Sequence, residues 1–286
     1  MAFYESIGIG PWHDYPPLSA FTDLDAPSVD GFHKLVYKWA MIADLQLHLV
    51  APGPEPTPQR EFLDANGPGV YHLGFVVEDA DRGERDAEAL GVRAAVRGRR
   101  PNGSGFTYFD TRAQAGVTLE IRQSPPGEDL SAAVRFNPDG TPFRKPHHIC
   151  LAVSDIERAA GFYESVGVGP WEDLPRMTDL TELEGADPHA FHELRYKWTT
   201  IGDLQLQLVQ PVAGRTPQGE FLRTHGEGVF HIGFAVDSVD DAEAQAAALG
   251  LEVLLRGRRP DGSGFAYFDT YEPAGVTLQV RRAATG

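Results

Sequence analysis

The feature that most restricts this chain is a long internal repeat. Set against itself at an offset of 159 residues, the sequence matches without a gap from Phe3 to Arg122. FYESIGIGPW at Phe3 to Trp12 returns as FYESVGVGPW at Phe162 to Trp171, and GVYHLGF at Gly69 returns as GVFHIGF at Gly228. The same offset pairs LQLHLV at Leu45 with LQLQLV at Leu204, GRRPNGSGFTYFDT at Gly98 with GRRPDGSGFAYFDT at Gly257, and AGVTLE at Ala115 with AGVTLQ at Ala274. A period this long is a duplicated domain and not a solenoid unit. The reading gives a first domain over 1–123, a connector rich in Pro, Gly and charge over 124–144, and a second domain over 145–286.

A weaker repeat lies inside each copy. His148 to Val168 aligns with His231 to Leu251 at an offset of 83, and in each a histidine opens an apolar run that an acidic turn and a helical segment follow. HIGFAVD is short, apolar and β-rich, so it reads as a strand. Ser238 to Gly250 opens on a capping residue and acids, carries an Ala-rich body and stops at a glycine, which is a helix pattern. Further strands are expected over Phe191 to Trp198, Thr199 to Ile201 leading into Leu204 to Val209, Leu251 to Arg256, Gly264 to Asp269 and Val276 to Arg281. Strand, helix, then three strands describes a mixed α+β module with an open, curled sheet. GRRPDGSGF lacks the strand-to-helix context of a phosphate loop and reads as a hairpin turn.

The stretch Lys145 to Val153, KPHHICLAV, has no counterpart in the first copy. Its match would lie before Met1, which leaves three explanations open: an upstream start, a domain short of one strand, or a substitute such as Leu130 to Phe136. The surplus of 41 acidic over 25 basic residues argues against general affinity for nucleic acid or anionic membrane. One cysteine, Cys150, excludes an intrachain disulfide and fits a reducing compartment. No apolar run has the length of a membrane span, and the N-terminus has no basic segment followed by an apolar one, so a cytoplasmic protein is expected.

Strand alternation places Gln205 and Gln207 on one face of LQLQLVQ, and Gln46 with His48 on the matching face of the first copy. Unpaired burial of such groups costs roughly 1–3 kcal/mol, so they meet each other, water or a ligand. His231 and Gln279 join this set in the second copy; His48, His72 and Glu120 form it in the first. Two histidines and a carboxylate are the donors of a facial triad for Fe, Mn, Co or Zn.

HICLAVSDIERAAGFYESVGVGPW, the glutamine ahead of the proline in LQLVQP, and the histidine strand GVFHIGFAVD together resemble the vicinal oxygen chelate superfamily, the glyoxalase, bleomycin-resistance and extradiol dioxygenase proteins. The likeness is strongest to methylmalonyl-CoA epimerase-like members and covers both copies apart from the connector. The resemblance implies tandem glyoxalase-fold domains, each a pair of βαβββ modules whose sheet curls around a central cavity and a divalent metal (Co, Mn, Fe, Zn or Ni). It implies His148, Gln207, His231 and Gln279 as ligands in the second domain, with Gln279 in place of the family's glutamate. In the first it implies His48, His72 and Glu120, with the first-strand ligand missing. It also implies a glutamate base on the second strand, best matched by Glu193; the first copy has Lys34 there. The activity implied is a metal-dependent isomerase, epimerase or lyase working on a small carbonyl or acyl substrate through an enolate-like intermediate. An extradiol-type dioxygenase and a metal-free binding protein are the alternatives, and the chain would act as a monomeric pseudo-dimer or a homodimer.

Overall fold

The computed structural model describes residues 1–125, 140–212 and 214–284. Two compact units emerge, one of Trp12–Ala40 and Gln46–Val134, the other of Met1–Pro11, Met41–Leu45 and Arg135–Gly286. Their bounds depart from the sequence boundary, because the first helical turn belongs to the C-terminal unit. There the Tyr4 hydroxyl donates to the Ala274 carbonyl at 2.7 Å and the Thr141 hydroxyl donates to the Ile7 carbonyl at 2.6 Å. Among the described residues no helix is long and apolar enough to cross a membrane.

The first copy contributes β1 (His13–Asp14), β2 (Asp23–Asp25), β3 (Val36–Ile42), β4 (Leu45–Ala51), β5 (His72–Val76), β6 (Ala94–Arg99), β7 (Gly105–Phe109) and β8 (Thr118–Gln123). They form two sheets, β1-β3-β4 and β2-β6-β7-β8-β5. The second copy contributes β9 (Pro146–Ala152), β10 (Glu172–Leu174), β11 (Glu182–Glu184), β12 (Arg195–Ile201), β13 (Leu204–Gln210), β14 (Gly228–Ala235), β15 (Val253–Arg258), β16 (Gly264–Phe268) and β17 (Thr277–Arg282). These make one nine-stranded sheet in the order β10-β12-β13-β9-β14-β17-β16-β15-β11.

Among the described residues, the difference between one sheet and two comes down to a single strand. β9, which carries KPHHICLAV, runs parallel to β13 and antiparallel to β14 and so joins the two halves. Among the described residues nothing takes that place between β4 and β5, and each is an edge strand. Burial differs at the matching strand: Leu47 and Leu49 of β4 are half-buried, whereas their counterparts Leu206 and Leu208 of β13, beside β9, are buried. The substitute strand expected at Leu130 to Phe136 lies outside the described residues.

Helices pack on the nine-stranded and the five-stranded sheets for reasons visible in their sequences. In the helix Ile156–Ser165, Ile156, Ala159, Ala160 and Tyr163 fall on one stripe and are buried, and the Asp155 side chain accepts from the Glu157 and Arg158 amides. The helix Val239–Ala248 starts at the expected Ser238, whose hydroxyl accepts from the Asp241 amide at 3.2 Å. One strand expectation needs correction. Phe191 and His192 are helical, in Pro188–His192, where Pro188 and the Asp187 cap begin a short turn and Phe191 stacks on Phe265 at 5.6 Å. The strand starts only at Arg195, because Phe191 finds its burial from a helix. The GRRPDGSG segment is a hairpin turn between β15 and β16, closed by the Arg258 and Gly264 pairing.

Candidate functional site

Strand pairing sets the inward face of the second domain. A transverse row crosses five strands: Gln205 beside His148, His148 beside Gly233, Gly233 beside Gln279, and Gln279 beside Tyr267. Gly233 is required in this row, because a Cβ there would lie 2.0 Å from Cε1 of His148. The His148 ring therefore leans across β14 and meets His231, Nε2 to Nε2, at 2.8 Å. Its other nitrogen meets Nδ1 of His147 at 3.0 Å, giving a chain of three imidazoles. Gln207, also buried, donates its amide to Oε1 of Gln205 at 3.1 Å.

Four residues expected as ligands in this domain thus share one buried face: His148 and His231 are each 1% exposed, Gln207 3% and Gln279 5%. Two of their atoms, Nδ1 of His231 and Oε1 of Gln279, are buried without a partner. An orphaned buried polar atom is costly, so these two atoms are unsatisfied as they stand. All four donors are neutral. Burial, followed by the Arg281 guanidinium, holds His231 down to about 3, while burial, His231 and Arg281 hold His148 well below its usual range. The more accessible His147 is lowered to about 4 by burial, Arg281 and Lys145.

The first domain differs in charge. Glu120 on β8 stands opposite Gly74 on β5, as Gln279 stands opposite Gly233, and its Oε2 lies 3.1 Å from Nε2 of His72. The His48 ring lies 6.4 Å from that of His72, and its Nε2 is buried without a partner. Burial, then His72 and Arg122, hold His48 down to about 3, so it is a neutral donor. Arg122 has a partner here: its guanidinium donates to Oε1 of Gln46 at 2.9 Å. Among the described residues no three His, Cys, Asp or Glu side chains are gathered tightly enough to hold a metal ion as they stand. His72 and Glu120 are assembled, and His48 is set back from them. The donor chemistry fits a divalent cation better in this domain, where a carboxylate joins two imidazoles, than in the second, where a glutamine stands in the carboxylate's place.

Glu193 is not on a strand. It caps the short helix Pro188–His192, half-exposed, and its Oε1 accepts from Nη1 of Arg176 at 2.6 Å. Lys34, its counterpart, is likewise at a helix end and paired with Glu55. The residue that sequence reasoning missed is Arg281. The same period-two alternation that selected Gln279 places Arg281 on the inward face, and Arg122 matches it at the repeat offset, so the signal was present.

A model of the Glyoxalase/Bleomycin resistance protein/Dioxygenase superfamily matches residues 1–109 and 147–268. The chain belongs to this superfamily. Mitochondrial methylmalonyl-CoA epimerase of Bos taurus is 22% identical over 176 residues, which cover 59% of this chain and 93% of that protein. Among solved structures, a triple mutant of 4-hydroxymandelate synthase from Streptomyces coelicolor superposes with a TM-score of 0.60 at 15% identity, covering 98% of this chain and 94% of its own. The methylmalonyl-CoA epimerase of Streptomyces coelicolor matches at 24% identity and a TM-score of 0.38, covering 49% of this chain and 98% of its own. The superfamily assignment agrees with the paired modules and inward-facing polar rows; at 15% identity the likeness to 4-hydroxymandelate synthase establishes the shared fold alone.

A pH dependence follows from the buried imidazoles of this superfamily member. His231 and His48 have folded pKa values near 3 against an unfolded value of about 6.5, so the unfolded chain binds more protons between those limits. Their stabilisation is complete above about 6.5 and is lost as the pH falls toward 3. In chelator-treated protein the unfolding free energy from urea titration should drop between pH 7 and 5, above the main carboxylate titrations, by on the order of 1 kcal/mol per pH unit for each histidine kept neutral. His231→Asn should flatten the profile; a wild-type midpoint constant over that range would contradict the burial of neutral rings.

Proposed function

We propose that the chain is a metal-assisted enzyme that moves a proton beside the carbonyl of a small carbonyl or acyl substrate, as an isomerase, epimerase or lyase, with the cation held in the first domain by His48, His72 and Glu120. The observation that carries this reading is the 3.1 Å approach of His72 to Glu120 beside the unpartnered, buried Nε2 of His48. When bound, a divalent cation supplies Lewis acidity toward a carbonyl oxygen. The chain's own residues supply the rest. Glu120 contributes the negative charge that the second domain's Gln279 lacks. Tyr108 and Tyr37 stand against His72 and His48, with ring centroids 5.0 and 6.2 Å apart, and burial raises both phenols so that they remain protonated. A protonated phenol in a dry site can donate to oxygen as enolate charge develops there.

Metal binding in solution tests the assignment. Wild-type protein treated with Co(II), Mn(II), Fe(II) or Zn(II) should bind one ion per chain, and Glu120→Gln should weaken binding by about a hundredfold while His231→Ala leaves it in place. Loss in His231→Ala alone would move the cation to the His148, Gln207, His231 and Gln279 set. No bound ion in any case would leave a metal-free binding protein. Solvent deuterium exchange into carbonyl substrates tests the proton transfer, and Glu193→Gln beside it reports whether the second domain supplies the base. The donor set of two histidines and one carboxylate also suits Fe(II) oxygen chemistry, the second reading. Oxygen consumption with catechols, without deuterium exchange, would favour it.

A further inference from the structure

We propose that the inward face of the second domain is an organic-anion site, in which the guanidinium of Arg281 pairs with the carboxylate of a small monocarboxylate whose polar groups meet Gln279 and His231. Three observations converge on it. Arg281 lies on β17 two residues beyond Gln279, on the face that carries His148 and His231, and is opposite Phe265 and Ala235 in the register. It is partly buried, and among the described residues it forms neither an ion pair nor a side-chain hydrogen bond. Next to it, Oε1 of Gln279 and Nδ1 of His231 are buried and unpartnered.

Arg281 does not lack a counter-ion for want of carboxylates. The chain has 41 acidic residues, and nearby arginines have found them: Arg256 pairs with Glu184 and Glu243, Arg258 with Asp240 and Glu243, and Arg259 with Asp179. The repeat sharpens the contrast, since Arg122 of the first copy shares its face with Glu120 and donates to Gln46. In the second copy the carboxylate is replaced by Gln279, and Gln205 is taken by Gln207. An arginine keeps its charge at any accessible pH, so a partly buried one without an anion is a site waiting for one. Its planar fork suits a carboxylate, which it can hold through two parallel hydrogen bonds. Arg281 brings one positive charge to this face, beside the unpartnered Oε1 of Gln279 and Nδ1 of His231. A singly charged anion balances it, whereas a phosphate dianion leaves excess charge. The unpartnered oxygen of Gln279 asks for a donor, which a hydroxyl on the same ligand provides.

This inference is independent of the cation in the first domain, and the experiment keeps them apart by using chelator-treated full-length protein. Lactate, lactamide and inorganic phosphate are titrated by calorimetry and by thermal shift. Lactate should bind and raise the melting temperature, lactamide and phosphate should bind at least tenfold more weakly, and Arg281→Met should lose about ten- to a hundredfold in lactate affinity. Arg281→Met should melt no lower than wild type without ligand, because it removes an uncompensated charge. Arg281→Lys retains the charge and carries the test if the methionine variant does not fold; it should bind lactate better than it binds lactamide. Equal binding of lactate and lactamide, preference for phosphate, or undiminished lactate binding in Arg281→Met would each overturn the assignment.

Discussion

Gly233→Ala should destabilise the second domain by about 3 kcal/mol, near the upper end for overpacking a dense interior. The added Cβ would lie 2.0 Å from Cε1, 2.4 Å from Nδ1 and 2.6 Å from Nε2 of the His148 ring. The clash is with the body of a buried ring wedged between His147 and His231, not with the end of a flexible chain. His148 must leave its position, and its contact with His231 goes with it. Gly74→Ala is the internal control. There the new Cβ meets Oε2 of Glu120 at 2.8 Å, and a carboxylate can swing aside at a cost nearer 1 kcal/mol. Urea unfolding followed by domain-resolved hydrogen exchange, with histidine ring NMR, separates the two. A Gly233→Ala protein as stable as wild type, its His148 and His231 resonances unshifted, would refute this packing account.

Glu243→Ala should cost about as much for an electrostatic reason. The Arg258 side chain is 9% exposed and that of Glu243 13%, and the two form a hydrogen-bonded ion pair. Arg258 also donates to the Gly257 and Phe265 carbonyls at 3.1 and 2.8 Å, which ties the β15–β16 hairpin to the helix Val239–Ala248. Removing the carboxylate leaves a buried guanidinium with only the exposed Asp240 as counter-ion, and breaking such a pair costs about 3 kcal/mol or more. Asp240→Ala removes an exposed partner and should cost about 1 kcal/mol or less. The first copy repeats the device with Arg99, Glu84 and Asp81, so Glu84→Ala should loosen its own domain likewise. Equal urea midpoints for Glu243→Ala and Asp240→Ala would mean that burial does not set the strength of this pair.

Most of the fold was legible because its signals are local or repetitive. The gapless match at 159 residues identifies two copies, and the Ser238 cap, the Ala-rich body and Gly250 mark a helix with no tertiary information. Phe191 was misread because aromatic, β-rich composition and a short capped helix look alike until the burying partner, here Phe265, is known. The candidate site was legible only as a list. Alternation selects Gln207, His231 and Gln279, yet it cannot say that β9 passes between β13 and β14, which is what brings His148 against His231.

The sequence by itself determined the duplication, the module order and the inward parity of each strand. All of these follow from periodicity along the chain. Only the tertiary structure decided that, among the described residues, β9 unites nine strands while β4 and β5 remain edges and Arg281 stands without a carboxylate, and that Gly233 clears space for a ring. Those outcomes depend on which strands become neighbours and on how charges as far as 80 positions apart in the chain are shared, and pairing across a sheet is a property of the packed molecule that no local pattern encodes.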